Sequence, residues 1–130
     1  MQARRTKIYF DGGCRPNPGE MAAAVVLRGE VHHFPDLGTG TNSDAEWIAL
    51  IRALRLAHIK EPGEFDLLGD SAVIVNQATG VWPCRAPELR RHLEEFAALR
   101  ELRAPTRIRR IARSQNLAGI ALERLYAKRR

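Results

Sequence analysis

The sequence predicts an α/β fold, a mixed sheet covered by helices, in a single domain spanning residues 1–130. Three observations carry this. Short apolar and β-branched runs fill the first third of the chain, and helical periodicity alternates with further short runs after it. At 130 residues, the chain is long enough for one core and too short for two. A chain of this size buries roughly two-thirds of its unfolded surface, so it needs no disulfide staples.

Each element has its own signal. TKIYF, residues 6–10, reads as a first strand stopped by the turn formers Asp11, Gly12 and Gly13. MAAAVVLRG and VHHFPDLG read as a second and a third strand, and Gly29-Glu30 suits a tight hairpin between them. Pro35 puts the third strand at a sheet edge or ends it. From about Asp44 to Ile59, Trp47, Leu50, Ile51 and Leu54 recur at the spacing of a buried helical stripe. Pro62-Gly63 ends that helix and EFDLLG gives a short strand. A short helix runs from Ser71 to about Gln77. Pro87 then opens another helix, with Leu89, Leu93 and Phe96 on one face. TRIRRIAR is ambiguous by pattern: Ile108 and Ile111 suit a helix, while its β-branched content and Pro105 suit a strand. A last helix from about Asn116 carries Leu117, Ile120, Ala121 and Leu125.

Composition narrows the class. Hydrophobic residues make up 45% and charged residues 28%, which argues against disorder. No apolar run approaches the roughly 20 residues of a membrane span, and the basic start MQARRTKIYF shows no apolar signal core. Two cysteines, Cys14 and Cys84, are too few for a disulfide scaffold. The expectation is a reduced, cytoplasmic domain with no membrane and no obligate protein partner evident. Twenty-one Lys and Arg against 15 Asp and Glu give a net charge of +6, which favours a polyanionic partner. The excess is concentrated late, at Arg103, Arg107, Arg109, Arg110 and Arg113 and in Lys128-Arg129-Arg130.

Three acids stand at element ends. Asp11 begins a DGG turn signal; Glu46 completes the capping-box spacing Ser43-Asp44-Ala45-Glu46; Asp70 stands where a helix N-cap would. Each therefore has an ordinary structural job open to it. Brought to one sheet edge, however, three carboxylates repel and cannot all ionise without cations. Hard divalent ions with oxygen ligands resolve that conflict, so an acidic cluster on a basic protein points to metal-assisted phosphoryl chemistry.

The motifs DGGCRPNPG, TNSDAE and GDSAVIVNQ resemble, in order and approximate spacing, the first three motifs of type 1 ribonuclease H. The resemblance spans roughly residues 6–126 and is closest to compact members lacking a basic protrusion. It implies the ribonuclease H-like fold, a five-stranded mixed sheet with its first three strands antiparallel, flanked by helices, and it makes TRIRRIAR a strand. It also implies an endoribonuclease that cuts the RNA strand of an RNA–DNA hybrid, leaving 5′-phosphate and 3′-hydroxyl ends. Asp11, Glu46 and Asp70 would be the catalytic metal ligands, holding two Mg²⁺ ions with substrate, or Mn²⁺ as substitute. Gly12, Gly13, Cys14, Arg15, Asn17, Asn42 and Gln77 would contact substrate and read 2′-hydroxyls, and Trp82 would pack on the DNA strand or else belong to the core. The match fails at the fourth motif. QNLAGIALER has Gly119 where the family carries Asp, and Arg113 and Ser114 occupy the region of a loop histidine. Glu123, one turn beyond Gly119, is a candidate substitute ligand or a solvated side chain. The four histidines show no ligand spacing and read as surface or packing residues.

Two rival classes remain. One is a catalytically weakened or inactive hybrid-binding module of the same fold. The other is a thiol enzyme using Cys14, which needs a base the loop does not offer. A P-loop is excluded, since no GK[ST] occurs.

Overall fold

The computed structural model describes residues 4–128. Six strands and four helices follow in the order β1 (Thr6–Cys14), β2 (Gly19–Leu27), β3 (Glu30–Phe34), β4 (Thr39–Gly40), α1 (Asn42–Lys60), β5 (Phe65–Gly69), α2 (Ala72–Ala78), α3 (Pro87–Leu102), β6 (Arg107–Arg110) and α4 (Leu117–Lys128). The main sheet has five strands in the order β3-β2-β1-β5-β6, and the two-residue β4 pairs with the start of β2. The first three strands are antiparallel; β5 runs parallel to β1, and β6 parallel to β5. The mixed sheet read from the sequence is observed with the five strands that the family resemblance implied, and TRIRRIAR supplies β6. The small β4 had no sequence signal.

Alternation along the strands sorts the two faces. Ile8, Phe10, Val25 and Leu67 point into the larger core with α1 and α3, where Trp47 and Phe96 meet edge to face at 6.2 Å. Tyr9, Ala22, Ala24 and Val26 point to the other face, which α4 covers with Ala118, Ala121 and Leu122. The α1 stripe of Trp47, Leu50, Ile51 and Leu54 is buried as the spacing predicts. In α4 the buried face is turned by about one residue from the expected one: Leu117 and Ile120 are exposed. Its first turn is set instead by fully buried Asn116, whose side-chain oxygen accepts from Ala118 N at 3.1 Å. No helix among the described residues is long and apolar enough to cross a membrane. The closing basic run lies outside the described residues beyond Lys128.

Three local expectations are corrected, and each correction shapes the site. Asp11, Gly12 and Gly13 do not stop β1. They continue it, paired with Ala24, Ala23 and Ala22 of β2, because small residues on both strands let the ladder run on. The β2–β3 turn uses Arg28 and Gly29, both at positive φ, with Leu27 paired to Glu30, so the hairpin sits one residue earlier than Gly29-Glu30. The capping box of α1 is Thr41–Asp44, not Ser43–Glu46. Thr41 Oγ1 accepts from Asp44 N, and the Asp44 carboxylate accepts from Thr41 N, both at 3.1 Å.

Asp44 is held further by buried His92 of α3, whose Nε2 lies 3.0 Å from Asp44 Oδ1. Burial alone would raise the Asp44 carboxyl, but the bonds from Thr41 and His92 hold it below its usual range. The start of α1 is thereby pinned to the sheet and to α3.

Gly12 makes this packing possible. A Cβ there would collide with the Ala45 carbonyl and stand 3.0 Å from Glu46 N. The missing side chain is thus filled by the backbone of α1. We expect Gly12→Ala to cost about 2 kcal/mol or more of stability, read from denaturant unfolding. A wild-type midpoint for the variant would contradict this packing.

Candidate active site

The parallel pairing of β1 and β5 places two acids side by side. Tyr9 is opposite Leu68 in the register, so Asp11 and Asp70, each two residues further on, leave the neighbouring strands at the same level and on the same face. Glu46 joins them because Gly12 admits the first turn of α1 against β1. Asp70 is not the helix cap: Ser71 caps α2, its hydroxyl accepting from Ile74 N at 3.3 Å. None of the three acids does the structural job its sequence position offered. Their carboxylates are left to the pocket.

Electrostatics register the crowding. Burial, then repulsion from Asp70 and Glu46, pushes the Asp11 carboxyl up to about 7, against the opposing pull of Arg113 and the Gly12 backbone. Glu46 is also pushed up to about 7, mainly by burial and also by Asp70, while a hydrogen bond with Ser71 and the charge of Arg113 pull the other way. These are the energetics of a site that is unfavourable without added positive charge.

The three carboxylates offer hard oxygen donors at one pocket wall, which fits divalent cations such as Mg²⁺ or Mn²⁺. Among the described residues, no three acids, histidines or cysteines close on one point as a ready cage.

The pocket has a volume of about 620 Å³, and the sequence-predicted residues Gly12, Gly13, Cys14, Arg15, Asn42 and Glu123 line it with the three acids. Asn42 Oδ1 accepts from Cys14 N at 2.9 Å, and Asn17 Oδ1 accepts from Asn42 N at 3.2 Å, tying the glycine strand to the head of α1. Three predicted contacts lie outside the lining: Asn17, which is bonded to the lining residue Asn42, and Trp82 and Gln77. Trp82 follows α2, is 45% exposed and lies outside the pocket lining, so it is not a core residue. Gln77, also outside the lining, buries its Oε1 without a hydrogen-bond partner among the described residues.

Cys14 is buried, and desolvation raises its thiol, with Asp44 adding to the effect. Its Sγ lies 3.5 Å from the amide oxygens of Asn17 and Asn42, and no histidine or carboxylate among the described residues is hydrogen-bonded to it. A thiolate nucleophile does not fit here.

Two residues of the site, Asn116 and Ser71, carried no functional reading in the sequence, and a third, Arg113, was read only as part of the late basic cluster and as the occupant of a loop histidine's region. Asn116 donates from Nδ2 to the Phe10 carbonyl at 3.0 Å and to Asp70 Oδ2 at 2.9 Å. It thus fixes one acid against the strand that carries another. Arg113, in the short 3₁₀ turn after β6, lines the pocket and acts on both raised acids. Ser71 links the α2 cap to Glu46. The available signals were faint: Asn116 opens the run that contains Gly119, and Ser71 follows Asp70 directly.

Gly119 faces Asp11 across the pocket, and a Cβ there would sit 3.4 Å from Asp11 Oδ2, in ordinary contact. The space therefore accepts a side chain. Glu123 is occupied differently from a ligand: its Oε1 is 2.5 Å from Arg15 Nη2, and the Arg15 guanidinium lies 4.1 Å from the centre of the Tyr126 ring.

A profile of the RNase H family matches residues 3–109. The chain belongs to the RNase H family. Ribonuclease HI of Halobacterium salinarum is 41% identical over 92 residues, covering 67% of this chain and 46% of that one. The chain spans about half the length of the curated relatives it matches. The crystal structure of RNase H1 from the same archaeon superposes with a TM-score of 0.80 at 33% identity, covering 92% of this chain and 94% of that one. LC11-RNase H1 in complex with an RNA/DNA hybrid gives 0.78 at 32% identity, covering 91% and 93%.

The raised acids make the metal-free RNase H domain pH-sensitive. Asp11 binds its proton more tightly folded than unfolded, so its contribution falls as pH rises from about 4 to about 7 and stays low above that. With chelator at pH 8, Asp11→Asn should melt higher than wild type, by about 2–4 kcal/mol in stability. The gap should close at pH 4, where Asp11 is neutral, and narrow at pH 8 when Mg²⁺ is added. Equal melting of the two proteins at both pH values would show that Asp11 is not crowded.

Proposed function

We propose that this RNase H domain is a metal-dependent endoribonuclease hydrolysing the RNA strand of RNA–DNA hybrids to 5′-phosphate and 3′-hydroxyl ends. The observation that carries the reading is the convergence of Asp11, Glu46 and Asp70 at one pocket wall, two of them raised to about 7. Family membership and the hybrid complex of LC11-RNase H1 support the substrate class.

The three acids would hold the divalent ions, Mg²⁺ with Mn²⁺ as substitute, whose chemistry when bound is Lewis-acid stabilisation of a phosphodiester and activation of water. The rest belongs to the chain. Asn116 holds Asp70 in place, and Ser71 does the same for Glu46. Arg113 offers a guanidinium to the non-bridging phosphate oxygens. Gly13, with no side chain, leaves backbone room beside Asn42, whose Oδ1 is already spent on Cys14 and whose Nδ2 is left for a 2′-hydroxyl. Arg15, stacked on Tyr126, reaches the substrate backbone by exchanging its exposed partner Glu123 for phosphate. Glu123 serves as a ligand only if that exchange frees it.

The test is incubation with a labelled hybrid plus Mg²⁺ or Mn²⁺, with single-stranded RNA and duplex DNA as controls. Cutting confined to the RNA strand of the hybrid, and stopped by chelator or by Asp11→Asn, is expected. Tight hybrid binding with no cutting in either metal would replace this reading with that of a binding module.

Gly119 makes a further expectation. Placing a carboxylate beside Asp11 with Gly119→Asp should lower the metal concentration needed for half-maximal cutting by about tenfold, a difference near 1.4 kcal/mol. Glu123→Gln should cost activity in the wild type and little in the Gly119→Asp background. Equal losses in both would exclude Glu123 as a substitute ligand.

A further inference from the structure

β6 is an edge strand of four residues, and three of them are exposed arginines. Ile108 turns into the main core, so Arg107 and Arg109 face the opposite side, in register with Asp66 and Leu68 of β5. On that side α4 packs against β1 and β2. Arg107 and Arg109 make no side-chain hydrogen bond or ion pair among the described residues. Arg85 and Arg124 likewise make none, whereas several other arginines are engaged. Arg5, Arg15, Arg28 and Arg55 each pair with a carboxylate, and Arg103 binds main-chain carbonyls of α1 and of Glu61 just beyond it.

Below β6 a crevice opens at the end of the sheet remote from the acids. Its walls include Arg4, Lys7, Arg28 and Arg109, with one exposed acid, Glu64. Its two buried carboxylates are already matched, Glu61 by Thr6 and Arg28, and Asp66 by Arg5 at 2.9 Å. Lys7 and Arg107 flank Asp66 across three neighbouring strands. Arg109 lines this crevice and Arg113, four residues on, lines the active-site pocket, so one short stretch of chain joins the two.

We propose that the face of β5 and β6 carrying Arg107 and Arg109 is a second nucleic-acid surface, which takes the phosphate backbone of an RNA strand continuing past the active site. The inference rests on the hybrid-cleaving reading above. From Arg107 to Arg113 the chain spans at most about 20 Å, the rise of about six phosphates along one duplex strand. Blunting a sheet edge against aggregation requires charge of either sign. Two arginines of a single sign, neither bonded to a carboxylate, on the strand that leads within four residues to the pocket of the acids, go beyond that need. Guanidinium groups suit the partner, since each can meet phosphate oxygens with two parallel hydrogen bonds.

The experiment uses the whole chain carrying Asp11→Asn, so that substrate survives, with Mg²⁺ present. Affinity is measured by fluorescence anisotropy for a blunt hybrid of about 10 base pairs and for the same hybrid with its RNA strand extended by about 12 nucleotides at either end. Adding Arg107→Gln and Arg109→Gln should weaken binding of an extended probe at least about fivefold and lower its log–log salt slope by about one. Affinity for the blunt hybrid should stay within about twofold, and melting temperature should not move, since both side chains are exposed. Equal weakening on all probes, or none on any, would overturn the second surface and leave these arginines as edge protection. Failure of the Asp11→Asn parent to bind even the blunt hybrid would overturn the underlying reading, and the inference with it, as a separately visible outcome.

Discussion

The burial of Asp11 and Glu46 beside Asp70, to which their repulsion adds, is the constraint around which the rest of the domain is arranged. Two of the three carboxyls are lifted to about 7 by burial and by their neighbours, so the fold carries a standing electrostatic cost at neutral pH. A fold tolerates such a cost only where the surroundings leave the groups no escape. Here the surroundings are rigid. The parallel β1–β5 pair fixes two of the acids, Gly12 against Ala45 fixes the third, and buried Asn116 ties Asp70 to the Phe10 carbonyl.

The same rigidity depends on other residues taking over the routine structural work. Thr41 and Asp44 cap α1, Ser71 caps α2, and alanines of β2 carry the ladder past Asp11. The caps sit one to five residues from the acids they relieve, and the alanines lie opposite Asp11-Gly12-Gly13 on the paired strand. His92 extends the arrangement outward, since its bond to Asp44 couples α3 to the turn of α1 that presents Glu46. A helix start held by a capping box and a buried histidine has little freedom to fray, which is what placing a carboxylate on it requires.

Much of this was legible in the sequence, and the exceptions have physical causes. The α1 stripe and the order of elements follow from periodicity, and the helix beginning at Pro87 follows from its N-terminal proline. β6 did not: its four residues present three outward arginines and one inward isoleucine, too short a run for either period to register. Asp11-Gly12-Gly13 read as a turn because glycine usually marks one, whereas here the glycine hydrogen gives room to another element's backbone. Likewise, two capping-box spacings overlap at the head of α1, and spacing alone cannot choose between Thr41–Asp44 and Ser43–Glu46. The three acids were legible only as a set. Asn116 was not legible as a site residue at all, because its work is done across 46 residues of sequence.

The charge of +6 gains meaning once it is placed. On the proposed reading, an acidic pocket repels the polyanion it is to act on, and cations held there would offset that repulsion only locally. Attraction over the length of a nucleic acid must come from elsewhere on the surface. Arg113 stands at the boundary: it lowers the pull of Asp11 and Glu46 on protons while lining the same pocket. A guanidinium so placed favours the ionised carboxylates that a metal needs, and it marks where the basic surface meets the acidic one. Gly119 bears on the same balance. A fourth carboxylate opposite Asp11 would deepen the repulsion in the metal-free state, and its absence leaves this domain with less stored repulsion and fewer oxygens to hold an ion. On the proposed reading, stability without metal and affinity for metal would thus pull against each other at one position of α4.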